Sequence, residues 1–419
     1  MVFFTKYFSA LPLILIVSAF GIYIGFGLRI EQLILYPSAV IFFGVSVLKN
    51  QKLLKDYFKI FILWLFIVVI GLIVTITTYS DGEIPKILAD TESFVEPLAL
   101  MVLFMFSTMK PRLLDVSNQL QRCGNALIIM LSLNTVLIFV SMFTDVSKIG
   151  LFFWGGTGDL SVAARAMTNG RYSGIFNQPM EAGAMYSIGL LIWLYLSEKI
   201  VFTKLSYIIG LGLIVIGGII TISKVFLFGG LPLFFAGVLF NKNKWRVIFS
   251  LTFWSTVVGY ISYYFLFKTW NGLDYLLRFF SSNQDFMSLI SAGRFGGADS
   301  QQSRYFSEIW HSSPIYGKGF GVTPIYDSGF FQVFAIGGSI DLVVYLGIIL
   351  GFIVLGIKLL RQNRLKSESK LFGLLVLLII GASIGSPILT LNRVSVVLWI
   401  FIGMLYQYYN AERISINNR

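Results

Sequence analysis

Ile60–Thr78 reads IFILWLFIVVIGLIVTITT, nineteen residues without a charged side chain. A helix rises about 1.5 Å per residue, so this run is long enough to cross a hydrocarbon core about 30 Å thick. The composition extends that reading to the whole chain. Of 419 residues, 56% are hydrophobic and 12% charged. Soluble domains carry about 25% charge, so a soluble fold of this length would lack polar surface to cover itself. Aromatic residues make up 16% of the chain, and many flank the apolar runs as interfacial anchors do.

Working outward from that run, the chain reads as an all-α polytopic membrane protein with twelve spans. They are 10–28, 33–48, 59–78, 94–109, 125–143, 180–197, 205–222, 225–240, 247–267, 330–356, 371–387 and 394–409. Each is expected to be helical, because lipid offers the backbone no hydrogen-bond partner. The first run lacks a convincing cleavage site and reads as a retained span. Residues 1–419 form a single transmembrane domain in this reading. Two long outer loops, 144–179 and 268–329, carry short amphipathic helices.

The net charge of +12 is read as topology, not as nucleic-acid binding. One set of loops is rich in Lys and Arg, including Lys49, Lys52, Lys55, Lys59, Lys199, Lys204 and the Lys358–Lys370 segment. Short loops on the other side carry only Arg29, Lys86, Lys224 and Arg393. The positive-inside rule then puts both termini in the cytoplasm. Asp81, Glu83, Asp90 and Glu92 fall in one outer loop in this scheme. The single cysteine, Cys123, excludes an intrachain disulfide. With one Cys and one His, a closed zinc site is not expected, and no acidic pair or His cluster suggests another metal.

The first long loop ends in Gly170-Arg-Tyr-Ser-Gly-Ile-Phe-Asn-Gln-Pro-Met-Glu-Ala-Gly183. Asn177 or Gln178 suits a helix cap and Pro179 a first-turn position. A helix start facing outward attracts anions, and Arg171 lies just upstream. Arg165 sits on a preceding stretch, 159–167, that is expected to be helical. A turn with snorkelling arginines explains the same pattern. In the second long loop, Asp299 is expected to cap a helix ended by Pro314. Arg304, Glu308 and His311 share one face at i, i+4 and i+7. A solvated face with an ion pair explains that row equally. Tyr316-Gly-Lys-Gly-Phe-Gly321 follows, with glycines that let a backbone approach a ligand closely. It lacks the spacing of a phosphate-binding Walker loop. Asp341 lies inside an apolar span, where an acid faces the bundle interior or a water-filled cavity. The outer side thus offers Arg165, Arg171, Lys224, Arg278, Arg294, Arg304, Lys318 and Arg393 as cations. Glu181, Glu308, His311 and Asp327 are the candidate bases.

These segments, in this order, resemble the Wzy-type O-antigen and capsule polymerases, relatives of the O-antigen ligases. Arg171 to Gly183 resembles the family's Arg–Gly–Phe–Asn/Pro–Gly entry into a span. Thr221-Ile-Ser-Lys224 resembles its Thr-x-Ser-Arg tip, with Lys in place of Arg. Arg304 through Gly321 resembles its amphipathic helix followed by Pro-x-x-Gly-x-Gly-x-Gly. Asp327-Ser-Gly-Phe-Phe to Gly338 resembles the stretch entering the next span. Ligases often carry His-Asn where this chain has Asp327-Ser328, which favours a polymerase.

The resemblance implies glycan transfer from undecaprenyl pyrophosphate to another lipid-linked repeat unit, on the outer face of a bacterial inner membrane, without a cofactor. It implies Arg171, Lys224 and Arg304 as pyrophosphate ligands, with Arg165, Arg278, Arg294, Lys318 and Arg393 as further substrate contacts. Glu181, His311 and Asp327 are then base or acceptor-positioning groups. The implied partners are the lipid-linked donor and acceptor, the bilayer, a chain-length regulator and a flippase. The alternatives are an O-antigen ligase acting on lipid A core, a lipid-linked oligosaccharide flippase, and a scaffold binding partners through its loops.

Overall fold

The computed structural model of the chain describes residues 2–25, 28–78, 84–106, 113–155, 161–199, 205–241, 244–261, 272, 301–321, 328–362 and 366–417. Among the described residues the protein is helical apart from a short hairpin and an isolated bridge, the make-up of an all-α membrane protein. Among the described residues, seven helices are long and apolar enough to cross a membrane. The chain divides into two compact units. One comprises 1–31, 121–283 and 365–378; the other comprises 32–120, 284–364 and 379–419.

The first unit opens with α1 (Val2–Ser18). Where the sequence predicts a helix to 28, α1 stops and Tyr23–Gly25 (β1) pairs antiparallel with Leu28–Arg29 (β2). Glycines at 21 and 25 end the helix, and Tyr23 and Ile24 suit an extended strand. Beyond the C-terminal part of α5 (Leu113–Phe143) come two short helices, α6 (Ser147–Trp154) and α7 (Val162–Met167). Next is α8 (Pro179–Lys199), buried on nearly every side. A helix that is apolar all round belongs in a core, and α8 is the core helix of this unit.

Around α8 pack α9 (Leu205–Ile220), a π-helical turn (Val225–Gly230) and α10 (Leu231–Leu239). The chain continues into α11 (Lys244–Ile261). At the C-terminal end of α8, Lys370 Nζ lies 2.8 Å from Glu198 and Lys199 Nζ lies 2.7 Å from Glu368. Tyr195 also donates to Glu368, at 3.3 Å. Two expected Lys-bearing loops are thereby brought together at one end of α8.

The second unit is built from α2 (Ile30–Leu48), α3 (Lys55–Thr78), α4 (Ile84–Phe104), α12 (Gln301–Ser312), α13 (Gly329–Gln362), part of α14 (Ser367–Gly385) and α15 (Asn392–Asn417). Its core helix is α15. Trp399 of α15 packs against Trp64 of α3 at 5.4 Å, and Trp64 donates to the Phe94 carbonyl at 2.9 Å. The expected outer loop holding Asp90 and Glu92 is instead the start of α4, with Pro85 in its first turn, where proline is tolerated. Asp90 there accepts from the Gly321 amide at 2.9 Å, so a carboxylate within the helix has a backbone partner.

The span expected at 330–356 is present but broken. Gly338 adopts φ 65°, ψ −154°, a region open only to glycine, and divides α13 into two half-helices. The segment before α13 takes over the missing helix bonds. Ser339 and Ile340 amides donate to the Pro314 and Ile315 carbonyls, while Lys318 and Gly319 amides donate to the Ala335 and Ile336 carbonyls.

Candidate functional site

In the first unit, α7 delivers Arg171. Ser161 caps its start, with Oγ accepting from the Ala164 amide at 3.0 Å. The expected helical stretch from 159 therefore starts at a serine cap. Gly170, at φ 68°, ends it: the Arg171 amide reaches the Ala166 carbonyl and the Gly170 amide reaches Met167. That is the paired-bond stop that favours glycine, and it sets the direction of Arg171. The following turn is held rigidly. Asn134 of α5 accepts from the Ile175 amide at 2.9 Å and donates to Tyr186 at 3.0 Å, and Trp154 donates to the Gly174 carbonyl at 3.0 Å. Gly174 sits at φ 64° directly on the Asn134 amide group, so a side chain there would displace it. Tyr172 is half-buried, and burial pushes its phenol above the ordinary value.

The Arg171 guanidinium lies across the tip between α9 and the π-helical turn. Nε donates to the Thr221 carbonyl at 3.4 Å and Nη2 to the Ile222 carbonyl at 3.3 Å. Two segments 50 residues apart in sequence, each part of the family resemblance, are therefore in contact. Ile222 is fully buried at φ 45°. A β-branched residue there is a strained outlier, and such strain concentrates at functional sites. Ser223 follows, 2% exposed, and its Oγ makes no hydrogen bond among the described residues. Leaving a buried hydroxyl unmatched costs about 1–3 kcal/mol. Gly183 of α8 lies against the Ser223 side chain so closely that no Cβ would fit. Lys224, half-buried, opens the π-helical turn. Such turns recur at functional sites. The tip brings together the side-chain types of an anion cradle: a guanidinium, a lysine and a buried hydroxyl.

Glu181 is not an open carboxylate. It is 1% exposed, and Oε2 accepts from the Asn177 amide at 3.1 Å, so it closes the start of α8. Arg165 is exposed in the last turn of α7, a favourable place for a cation.

The second unit places α12 as expected, with Arg304, Glu308 and His311 all exposed on one face. His311 Nδ1 lies 2.7 Å from the Ser307 carbonyl. A carbonyl can only accept, so in the neutral imidazole Nδ1 carries the proton and Nε2 is the basic nitrogen. Glu308 pairs with Lys318. The Gly-x-Gly-x-Gly segment departs from its expected role as a ligand loop. A Cβ on Gly317 would lie 2.6 Å from the Gly338 nitrogen. One on Gly319 would lie 2.7 Å from Thr75 Cα, and one on Gly321 would lie 2.8 Å from the Ile87 nitrogen. The Phe320 amide donates to Thr75 Oγ1 at 2.7 Å and the Gly321 amide to Asp90 at 2.9 Å. These glycines bring protein backbone against protein backbone.

Arg393 is a core guanidinium, 1% exposed, in the first turn of α15. Asp341, in the first turns of the second half of α13, is fully buried. Neither of its oxygens makes a hydrogen bond among the described residues, and its carboxylate fills the space where a Cβ on Gly337 would sit. Arg278, Arg294 and Asp327 lie outside the described residues. The sequence places Ile222 and Ser223 in the Thr221–Lys224 tip but gives neither a role, and an asparagine within an apolar run does not single out Asn134. Among the described residues no group of three or more His, Cys, Asp or Glu side chains gathers. Compared with models of known protein families and with curated proteins, the sequence matches none.

Proposed function

We propose that the chain is a polysaccharide polymerase of the bacterial cytoplasmic membrane. It would transfer a glycan from undecaprenyl pyrophosphate to the end sugar of another lipid-linked repeat unit, at the outer face. The contact of Arg171 with the carbonyls of Thr221 and Ile222 carries this reading. Two separate pieces of the family resemblance meet there, one residue before a buried serine whose hydroxyl makes no hydrogen bond among the described residues. The full topology of this reading counts α1, α4, α9, the π-helical turn with α10, and α11 as further spans. That makes twelve, with both termini cytoplasmic.

In the reaction the acceptor hydroxyl oxygen bonds to C1 of the donor glycan as the C1–O bond to pyrophosphate breaks. The bonding pair leaves with undecaprenyl pyrophosphate, and the hydroxyl proton passes to a base. Arg171, Lys224 and Ser223 are assigned to the phosphate charge that develops, a role in which one preorganised donor is worth about 10²–10³ in rate. The family resemblance, and no contact in the structure, offers His311 as the base; in its neutral ring Nε2 is the acceptor nitrogen. A base in that role contributes about 10²–10⁴. Arg304 is assigned to substrate phosphate.

The test is a strain lacking its own polymerase, complemented with this chain. Arg171→Ala and Arg304→Ala variants are expected to be made normally and to give no polymer ladder. Full-length ladders from both would sink the assignment. A His311→Gln enzyme with wild-type rate would remove His311 as the base.

One observation favours a second reading, a lipid-linked oligosaccharide flippase. Broken membrane helices with a buried acid, as at Gly338 and Asp341, are a transporter device. Purified protein in vesicles decides. Longer glycans mean polymerase; movement of lipid-linked units at constant glycan length means flippase.

A further inference from the structure

The second helix of interest in the second unit, α12, has three distinct faces. Tyr305 and Ile309 pack on Phe331, Phe334, Ala335 and Leu342 of α13. Arg304, Glu308 and His311 form an exposed polar row. Phe306 and Trp310 form the third face, 43% and 54% exposed, stacked on one another at 5.9 Å. At about 100° per residue, both rings stand about 160° from Glu308. Ile315 and Tyr316, just beyond the helix, are exposed as well.

Four large apolar side chains exposed together in eleven residues are costly in water. Their position says what covers them. Phe331–Ala335 are the first turns of a helix apolar enough to cross a membrane, so α12 lies at the level where that span leaves the hydrocarbon. Trp, Tyr and Phe concentrate at that level. A sugar-stacking platform would have hydrogen-bonding groups at the ring edges, but the polar row faces the other way. We infer that α12 is an interfacial helix, with Phe306 and Trp310 seated in the acyl–headgroup boundary of the bilayer and the Arg304–Glu308–His311 row in water. Such helices bind by burying one apolar face a few ångströms deep while lying in the membrane plane. The inference stands on the membrane character of the chain alone.

Cys123 is the only cysteine and is buried, so a Cys123→Ser full-length chain can carry one new label. Trp310→Cys, Phe306→Cys and Ser312→Cys variants would each be labelled with a small fluorophore. They would be reconstituted in vesicles of phosphatidylethanolamine, phosphatidylglycerol and shallow-brominated phosphatidylcholine. Ser312 lies about 40° from Glu308, on the polar side. Labels at 306 and 310 are expected to be quenched at least about twofold more by brominated lipid than the label at 312, with aqueous iodide giving the reverse order. Equal iodide quenching at 310 and 312 would overturn the inference and leave a water-facing surface. Shielding of 310 from both quenchers would also overturn it, pointing to coverage by a second copy of the chain. The label at 306 reads the same face independently, should substitution at 310 disturb the helix.

Discussion

Two regions look alike in sequence and behave differently in the structure. Gly170 to Gly183 and Gly317 to Gly321 both set glycines beside a cation, Arg171 in one and Lys318 in the other. In the first, the glycines end a helix, turn a chain and admit Ser223, whose hydroxyl makes no hydrogen bond among the described residues and follows directly on the Ile222 carbonyl that Arg171 meets. In the second, the glycines serve contact between α3, α4 and the broken α13, and the intervening amides are donated to protein. Its lysine pairs with Glu308 on the surface. A glycine pattern thus says that something approaches closely. What approaches, ligand or backbone, depends on what would meet the missing Cβ.

The comparison breaks or sharpens on four substitutions. The largest effect is expected at Gly338→Ala. Its backbone is glycine-only and its Cβ would collide with the Ile315 carbonyl, so the loss should exceed about 4 kcal/mol. Thermal unfolding and gel filtration in detergent would show little folded protein. Gly347→Ala on the same helix meets nothing within 4 Å and should gain about 0.5–1 kcal/mol. Equal behaviour of the two would refute the backbone-contact account.

Arg171→Ala comes next. Transfer by purified protein should fall by about 10²-fold or more, with folded protein still recovered. Arg171→Lys should restore little, since one ammonium cannot reach both carbonyls with the planar fork. Smaller again is Ser223→Ala. An unsatisfied hydroxyl contributes nothing to the fold, so its melting temperature should hold or rise slightly. Transfer should drop about tenfold, the worth of one hydrogen bond to a charged ligand. If activity is unchanged, the hydroxyl is a packing defect and the first region loses its claim. The smallest effect is expected for Lys318→Met. An exposed ion pair is worth under about 1 kcal/mol, and product ladders should look normal. A loss matching Arg171→Ala would put the ligand at the Gly-x-Gly-x-Gly segment after all.

Much of the architecture was legible because lipid leaves few choices. The apolar runs at 59–78, 180–197 and 371–387 reappear as α3, α8 and α14 to within a few residues. Pro179 opens α8 and Pro314 closes α12 for local steric reasons that need no neighbours. The hairpin at 23–29 was misread because a short apolar strand and a helix end look alike in an isolated window. Asp90 and Glu92, expected in a loop, lie within α4 for a related reason. Hydropathy draws a helix boundary at the first charge, whereas a helix continues as long as its polar groups find partners. At the candidate site, Arg171 and Lys224 stand out in the sequence as cations in segments that carry the resemblance, but nothing in the sequence says that the two segments touch. Glu181 looked like a base and is the closure of a helix start.

By itself the sequence determined a helical membrane protein, the location of its main spans and which segments carry its cations. Those follow from transfer free energy and local sterics, which act residue by residue. Tertiary structure alone shows that Arg171 reaches the Thr221–Ile222 tip, that the Ser223 hydroxyl makes no hydrogen bond among the described residues, that α13 breaks at Gly338, and that the glycines of 317–321 serve packing. Each of these depends on a contact between residues distant in the chain, and no window of sequence contains both partners.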